Sequence, residues 1–288
     1  MSVNIQTIKD IRFYLSKELS KIYHEPEISA LCTEIIRSVT GATRFLQIYK
    51  PESQISPEQA DRIVNICNEL LTGKPLQYVL GETLFYNCII RVNQYVLIPR
   101  PETEEMADII IKENKGLKNN IIDFGTGSGC IAIALALNLK ESSVTGTDIS
   151  EEAINIARQN AKLNEVTVSF FTADIFNFDP LSVEKANIIV SNPPYIRYSE
   201  KSLMRTNVLG FEPHTALFVP DDDPLLYYKS ILKIADEILL PKGRLYFEIN
   251  EALGELMVSL LTEFRYSDIK LVNDINNKER IIKGIMHE

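Results

Sequence analysis

Apolar residues recur every three or four positions over the first seventy-odd residues, then give way to short apolar runs alternating with helical stretches. That change of period predicts two architectures in one chain. Ile5, Ile8, Ile11, Leu15, Leu19 and Ile22 share one helical face, and Ile28, Leu31, Ile35 and Val39 share another that stops before Gly41. Ser56-Pro57-Glu58-Gln59 has the form of a capping box with proline at the first helical position. The helix it opens carries Ala60, Ile63, Cys67 and Leu70 on its stripe and stops near Gly73. None of these helices buries its stripe alone, so residues 1–74 are expected to form a small helical bundle. Residues 78–80 and 88–98 read as strands around polar turns at Gly81-Glu82 and Asn93-Gln94, which predicts a linking β-hairpin over 75–98.

From residue 99 to 288 helices and strands alternate. Strands are expected at 120–124, 144–148, 166–171, 187–191, 244–249 and 281–286. Helices are expected around 106–111, from Cys130, from Ser150, over 225–239 and over 253–264. Such alternation builds an α/β, doubly wound sheet. Asp123, Gly125, Asp148, Asp174 and Asn192 then all fall at or just past strand ends, where ligands of open α/β sheets bind.

Two stretches carry the chemistry. Gly125-Thr126-Gly127-Ser128-Gly129 joins a buried strand to an apolar helix start, a loop where a ligand approaches bare backbone, and Asp148 follows at the spacing at which an acidic side chain grips ribose hydroxyls. Cys130 stands where a dinucleotide fingerprint has its third glycine, so a nucleoside other than NAD is favoured over a nicotinamide dehydrogenase. Asp148 has an alternative use as a helix cap, although Ser150 already offers one. Asn192-Pro193-Pro194-Tyr195 follows a third apolar strand, and its two prolines remove two backbone donors. An acceptor-rich corner remains, in which the Asn192 side-chain oxygen and the Pro193 carbonyl can each take one hydrogen of a planar –NH2 group while Tyr195 covers its plane. An amide nitrogen is a poor nucleophile, so aiming it at a strong electrophile is catalysis by positioning. A Pro-rich turn is the plainer alternative.

Together these residues resemble the class I S-adenosylmethionine-dependent methyltransferases. Val96-Leu97-Ile98-Pro99-Arg100-Pro101-Glu102-Thr103-Glu104 narrows the resemblance to the release factor glutamine methyltransferases of the PrmC/HemK type. Further matches are Gly81 and Phe85, Phe211-Glu212-Pro213 with Ala216-Leu217, and Glu279-Arg280. The resemblance covers most of the chain. It implies a Rossmann-like seven-stranded sheet with an antiparallel last strand and a substrate-recruiting role for the bundle. It also implies methyl transfer to the glutamine of the Gly-Gly-Gln motif of peptide chain release factors. The cofactor would be S-adenosylmethionine, with the glycine loop of residues 125–129 near its methionine part, Asp148 on the ribose, and Asp174 and Ile175 at the adenine. Asn192 would face both cofactor and substrate, Pro193, Pro194 and Tyr195 the substrate amide, and Arg100 and Glu212 the mouth over it. Arg100 between prolines equally suits a structural ion pair. Two positions depart from the family pattern: Ile175 stands where an aromatic is common, and Glu248-Ile249-Asn250 stands for Glu-Ile-Gly. Glutamine methylation of a ribosomal protein, methylation of an adenine amine in nucleic acid, and a non-catalytic cofactor-binding module are the alternatives.

Charge bears on the partner. The formal net charge is −9. Residues 1–74 hold nine Lys/Arg and nine Asp/Glu, so the excess of acid lies in the remainder. Without a basic stripe, a protein substrate is favoured over nucleic acid. With 288 residues, 45% of them hydrophobic, the chain can bury a sizeable core. No apolar run approaches the ~20 residues of a bilayer span, and residues 1–10 lack the order of a secretion signal. A cytoplasmic enzyme is expected. Cys32, Cys67, Cys88 and Cys130 sit in apolar segments and are expected as reduced core thiols. His24, His214 and His287 are far apart, and no His/Cys pair has metal-ligand spacing, so no metal is expected.

Overall fold

The computed structural model of the chain describes residues 5–287, which form two compact units. The first holds the described residues up to Gly81 together with Arg205–Phe211. Its helices are α1 (Ile8–Leu19), α2 (Glu25–Thr40), α3 (Arg44–Tyr49), α4 (Pro57–Leu70) and α5 (Leu76–Leu80). The stripes expected of α1, α2 and α4 interlock, with Ile11, Leu15, Leu19, Ile35, Ile63 and Leu70 fully buried. Ile22 is the exception: α1 ends at Leu19, and Ile22 is exposed. The capping box at α4 is present in both directions, Ser56 Oγ accepting from the Gln59 amide (3.2 Å) and Gln59 Oε1 from the Ser56 amide (2.9 Å).

Residues 78–80 are not a strand. They lie in α5, which starts after Pro75 and is closed by Gly81 in the left-handed region (φ 81°). The hairpin comes after it, as β1 (Glu82–Phe85) and β2 (Cys88–Arg91), joined by Tyr86-Asn87 with both φ positive (45° and 65°). Its second strand stops at Arg91 rather than continuing to residue 98. The hairpin belongs to the second unit, which spans Glu82–Met204 and the residues from Glu212 onward.

There follow α6 (Pro101–Asn114), β3 (Asn120–Phe124), α7 (Cys130–Asn138), β4 (Ser143–Asp148), α8 (Glu151–Leu163), β5 (Ser169–Thr172), β6 (Ala186–Ser191) and β7 (Ile196–Arg197). After α9 (Thr206–Phe211) come β8 (Phe218–Val219), α10 (Leu226–Ile238), β9 (Leu239–Glu248), α11 (Gly254–Glu263), β10 (Tyr266–Asn273) and β11 (Glu279–Met286). Seven strands form one sheet in the order β10-β11-β9-β6-β3-β4-β5, and only the last strand in sequence, β11, runs antiparallel to its neighbours. The chain winds outward from β3 through β4 to β5, then returns to β6 on the other side. The switch point therefore lies between the C-terminal ends of β3 and β6, where Phe124 pairs with Ser191.

Asn160 on α8 and Asn164, the residue that caps its C-terminus, fix the hairpin. Asn160 accepts from the Arg91 amide (2.8 Å) and donates to the Arg91 carbonyl (3.0 Å), and Asn164 does the same with Ile89 (3.0 and 2.8 Å). Each carboxamide copies a strand partner, so the open edge of β2 is satisfied without another strand. All four cysteines are buried and free.

Candidate active site

The loop at the switch point is tied on every side. Gly125, Gly127 and Gly129 all have positive φ (68°, 54° and 80°), which accounts for glycine at each. A Cβ at Gly125 or Gly127 would meet nothing within 4 Å, whereas one at Gly129 would press Ala157, Phe170 and Ile133 at 3.0–3.2 Å. The first two glycines thus leave bare backbone facing open space, and the third serves packing. Thr126 donates its amide to the Thr147 carbonyl (2.8 Å) and its hydroxyl to Asp123 Oδ2 (2.6 Å), while Asn160 Nδ2 donates to the Ser128 carbonyl (2.9 Å). Asp148 holds the loop and the next helix together, its Oδ2 accepting from the Gly127 amide (2.8 Å) and its Oδ1 from the Ser150 amide (3.0 Å). The N-cap of α8 is Ser150, whose hydroxyl accepts from the Ala153 amide. Burial raises the Asp148 pKa against the pull of those backbone donors.

Asp123 is fully buried and its Oδ1 has no hydrogen-bond partner among the described residues. Burial, reinforced by the charge of Asp148 and opposed by the Thr126 hydroxyl, pushes its carboxyl up to about 7. A lone carboxylate in this position favours a positive charge nearby.

In front of this loop lies a cleft of about 250 Å³, behind whose wall Asp123 is buried. Among its walls are all five loop residues except Gly129, with Asp148, Asp174, Ile175, Asn192, Pro193, Pro194 and Arg100. The structure brings the glycine loop and the acceptor corner into one cavity. Asp174 is shaped by its own turn, Oδ1 accepting from the Phe176 amide (2.9 Å) and Oδ2 from Asn177 (2.8 Å). Ile175 packs against the core while Phe176 and Tyr227, 5.4 Å apart, both line the cleft. These two aromatics were not singled out from the sequence. Phe176 is one residue beyond the position examined for an aromatic, and Tyr227 belongs to a helix from a distant part of the chain.

Two residues are placed differently from expectation. Tyr195 turns inward rather than over the cleft, donating its hydroxyl to the buried Glu248 (Oε1, 3.0 Å), and burial raises its pKa strongly. Glu212 is buried and does not line the cleft; its oxygens accept from Arg100 (2.6 Å) and the Ile98 amide (3.2 Å). Arg100 both lines the cleft and makes the ion pair that its place between prolines also suits. His214 packs edge-on to Phe218 outside the cleft walls. A second hollow, of about 240 Å³, is lined by Glu113, Lys283, Asp268 and Lys270, charges already paired with one another.

Behind the corner, Asn192 Nδ2 donates to Thr103 Oγ1 (3.2 Å), and Thr103 donates to Glu248 Oε2 (2.6 Å). Asn250, the departure from Glu-Ile-Gly, has an ordinary φ of −68°. Its Nδ2 lies 3.4 Å from the Tyr195 carbonyl, and its Oδ1 caps the Ala252 amide. No group of His, Cys, Asp and Glu among the described residues is arranged to hold a metal ion. No helix among them is long and apolar enough to cross a membrane.

Known proteins extend the picture. The family model described as the methyltransferase small domain matches residues 105–209, and that of the PrmC N-terminal domain matches residues 11–81. A release factor glutamine methyltransferase of Flavobacterium psychrophilum is 42% identical over 280 residues, covering 96% of this chain and 98% of that protein. One of Bacteroides thetaiotaomicron is 42% identical over 273 residues, covering 94% and 98%. Among solved structures, a methyltransferase from Pyrococcus furiosus shares the fold at 17% identity with a TM-score of 0.54, covering 81% of this chain and all of that one.

Proposed function

This chain belongs to the release factor glutamine methyltransferase family, and from that premise we propose that it methylates the side-chain nitrogen of the glutamine in the Gly-Gly-Gln motif of a peptide chain release factor, using S-adenosylmethionine. The observation that carries this reading is the single cleft shared by the glycine loop, Asp148, Asp174 and the Asn192-Pro193-Pro194 corner. The residues fit the cofactor: two glycines whose Cβ positions are open and the Asp148 carboxylate line the cleft, and just behind its wall Asp123 keeps a buried oxygen without a partner. Loop residues 125–129 would hold its methionine part, Asp148 its ribose, and Asp174 and Ile175 its adenine, with Phe176 and Tyr227 supplying the aromatic surface that Ile175 does not.

When bound, the cofactor supplies an electrophilic methyl on a sulfonium. The chain's own contribution is positioning. Asn192 Oδ1 and the Pro193 carbonyl accept the two amide hydrogens of the glutamine, which fixes the plane and direction of its nitrogen. Pro193 and Pro194 keep that corner rigid and free of competing donors. Tyr195 supports the corner from behind through Glu248 instead of covering the substrate. No strong general base is required, because the methylated nitrogen is acidic enough to release its proton to water. Arg100, with Glu212 behind it, shapes the mouth.

The helical bundle recruits the protein substrate. Phe13 on α1 and Phe45, Ile48 and Tyr49 on α3 are all more than 60% exposed, an apolar patch suited to a protein partner. The net charge of −9 disfavours nucleic acid. Such an enzyme works in the cytoplasm, where release factors act. A direct test offers labelled S-adenosylmethionine with release factor, total ribosomal protein and adenine-containing nucleic acid in parallel. Label in release factor alone is expected; label only in ribosomal protein or nucleic acid would reassign the substrate.

A further inference from the structure

Resting on the glutamine methyltransferase reading, we propose that Thr103 and Glu248 are positioning residues that fix the orientation of the Asn192 carboxamide, so that its oxygen rather than its nitrogen is presented to the substrate.

The two ends of a carboxamide are nearly the same shape, and a free asparagine at the cleft wall would offer either face. Only one of them accepts hydrogens from a substrate –NH2. Glu248, the last residue of β9, is 1% exposed, and Thr103 in the first turn of α6 is 3% exposed. Both Glu248 oxygens accept, Oε1 from the Tyr195 hydroxyl and Oε2 from the Thr103 hydroxyl. The Thr103 hydroxyl thus spends its hydrogen on Glu248 Oε2, and that bond is short at 2.6 Å. With its hydrogen committed, Thr103 can only accept from Asn192, which must present Nδ2 to it (3.2 Å). Asn192 Oδ1 is left on the side of the cleft that Asn192 lines. The polarity of the catalytic corner is thus dictated from a buried carboxyl group two hydrogen bonds away.

The same carboxylate grips the other end of the corner. Glu248 Oε1 accepts from the Tyr195 hydroxyl (3.0 Å), and its own carbonyl accepts from the Tyr228 hydroxyl (2.9 Å). Burial raises the Glu248 pKa, opposed by the Thr103 and Tyr195 hydroxyls and by the positive charge of Arg280, whose Nη1 donates to the Ile249 carbonyl (3.2 Å). Asn250 adds a donor to the Tyr195 carbonyl (3.4 Å). The end of β9 therefore holds both the first and last residues of the tetrapeptide.

Three variants test this on a Gly-Gly-Gln peptide: Thr103→Val, Thr103→Ser and Glu248→Gln. Thr103→Val keeps the shape but can neither donate nor accept, so kcat is expected to fall roughly tenfold or more, with KM and cofactor Kd within about twofold. Thr103→Ser restores the hydroxyl and is expected within about threefold of wild type. Glu248→Gln can donate to Thr103 and so removes the imposed polarity; it is expected to resemble Thr103→Val. The Asn192 side-chain amide resonance, identified by its loss in Asn192→Ala, reads the clamp without catalysis. It should shift in Thr103→Val and stay in Thr103→Ser. Wild-type kcat together with an unmoved amide resonance in Thr103→Val would overturn the clamp. So would equal losses in the valine and serine variants accompanied by weakened folding, which would make Thr103 a packing residue only. If the wild-type enzyme methylates no glutamine, the substrate assignment fails instead, and the resonance alone decides the clamp.

Discussion

Asp123→Asn should make this protein more stable and a poorer binder of its cofactor. The wild-type carboxyl is fully buried and pushed up from 3.8 to about 7, chiefly by burial. Between those values the native state holds a proton that the unfolded chain has released. Stability therefore falls as pH rises from about 4 to about 7 and levels off above that. At ~1.4 kcal/mol per pH unit, the gap sets a ceiling of about 4 kcal/mol on the penalty at pH 8, and relaxation around the charge brings the expected gain of the variant to about 2–3 kcal/mol. Asparagine keeps the volume and an acceptor for the Thr126 hydroxyl that now bonds Oδ2 at 2.6 Å. The ionisation is lost, at the cost of an amide –NH2 where Oδ1 now has no partner. Denaturant melts of both proteins at pH 4.5, 6 and 8 should give curves that coincide at the lowest pH and separate progressively above it. In calorimetry at pH 8, the variant should bind S-adenosylmethionine roughly tenfold or more weakly, since a cationic ligand loses its buried counter-charge. Parallel pH profiles, or undiminished cofactor affinity, would refute the view that a destabilising charge is kept there for binding.

Asp148→Ala should weaken S-adenosylmethionine by roughly 2–3 kcal/mol in calorimetry and also lower stability by about 1–3 kcal/mol, because the Gly127 and Ser150 amides lose their acceptor. Asn160→Ala frees the Arg91 amide and carbonyl and the Ser128 carbonyl, and denaturant melts should show a loss of about 2–4 kcal/mol. Phe176→Ala and Tyr227→Ala should each raise the cofactor Kd severalfold, by roughly 1 kcal/mol of aromatic contact, with little change in folding. Replacing Phe13 and Tyr49 with serine should raise KM for intact release factor about tenfold while leaving KM for a short Gly-Gly-Gln peptide unchanged.

Where local pattern decides the structure, it was readable. The stripes of α1, α2 and α4 and the capping box at Ser56 are matters of a few neighbouring residues, and so is the run of strand, glycine loop and helix around residues 120–130. Residues 78–80 misled because Tyr-Val-Leu has strand character, yet Pro75 and Gly81 bracket a single helical turn. The strand β10 was not read because register shifts between Ser267 and Lys270, with Asp268 at positive φ, break the alternation that would announce it. The inclusion of Arg205–Phe211 in the first unit leaves no local mark in the sequence. At the site, the cleft walls were legible through the loop, Asp148 and Asn192. Their supports were not, because Thr103 and Glu248 are 145 residues apart and meet only when α6 packs against β9. The inward turn of Tyr195 follows from that same buried carboxylate, and the pairing of Glu212 with Arg100 joins residues 112 apart.

The most direct test of the central claim is site-resolved mass spectrometry of a release factor incubated with this protein and S-adenosylmethionine. One added methyl, located by fragmentation on the side-chain nitrogen of the Gly-Gly-Gln glutamine and absent with the Asn192→Ala variant, is the predicted result. An unmodified glutamine, or a methyl on any other residue, would contradict it.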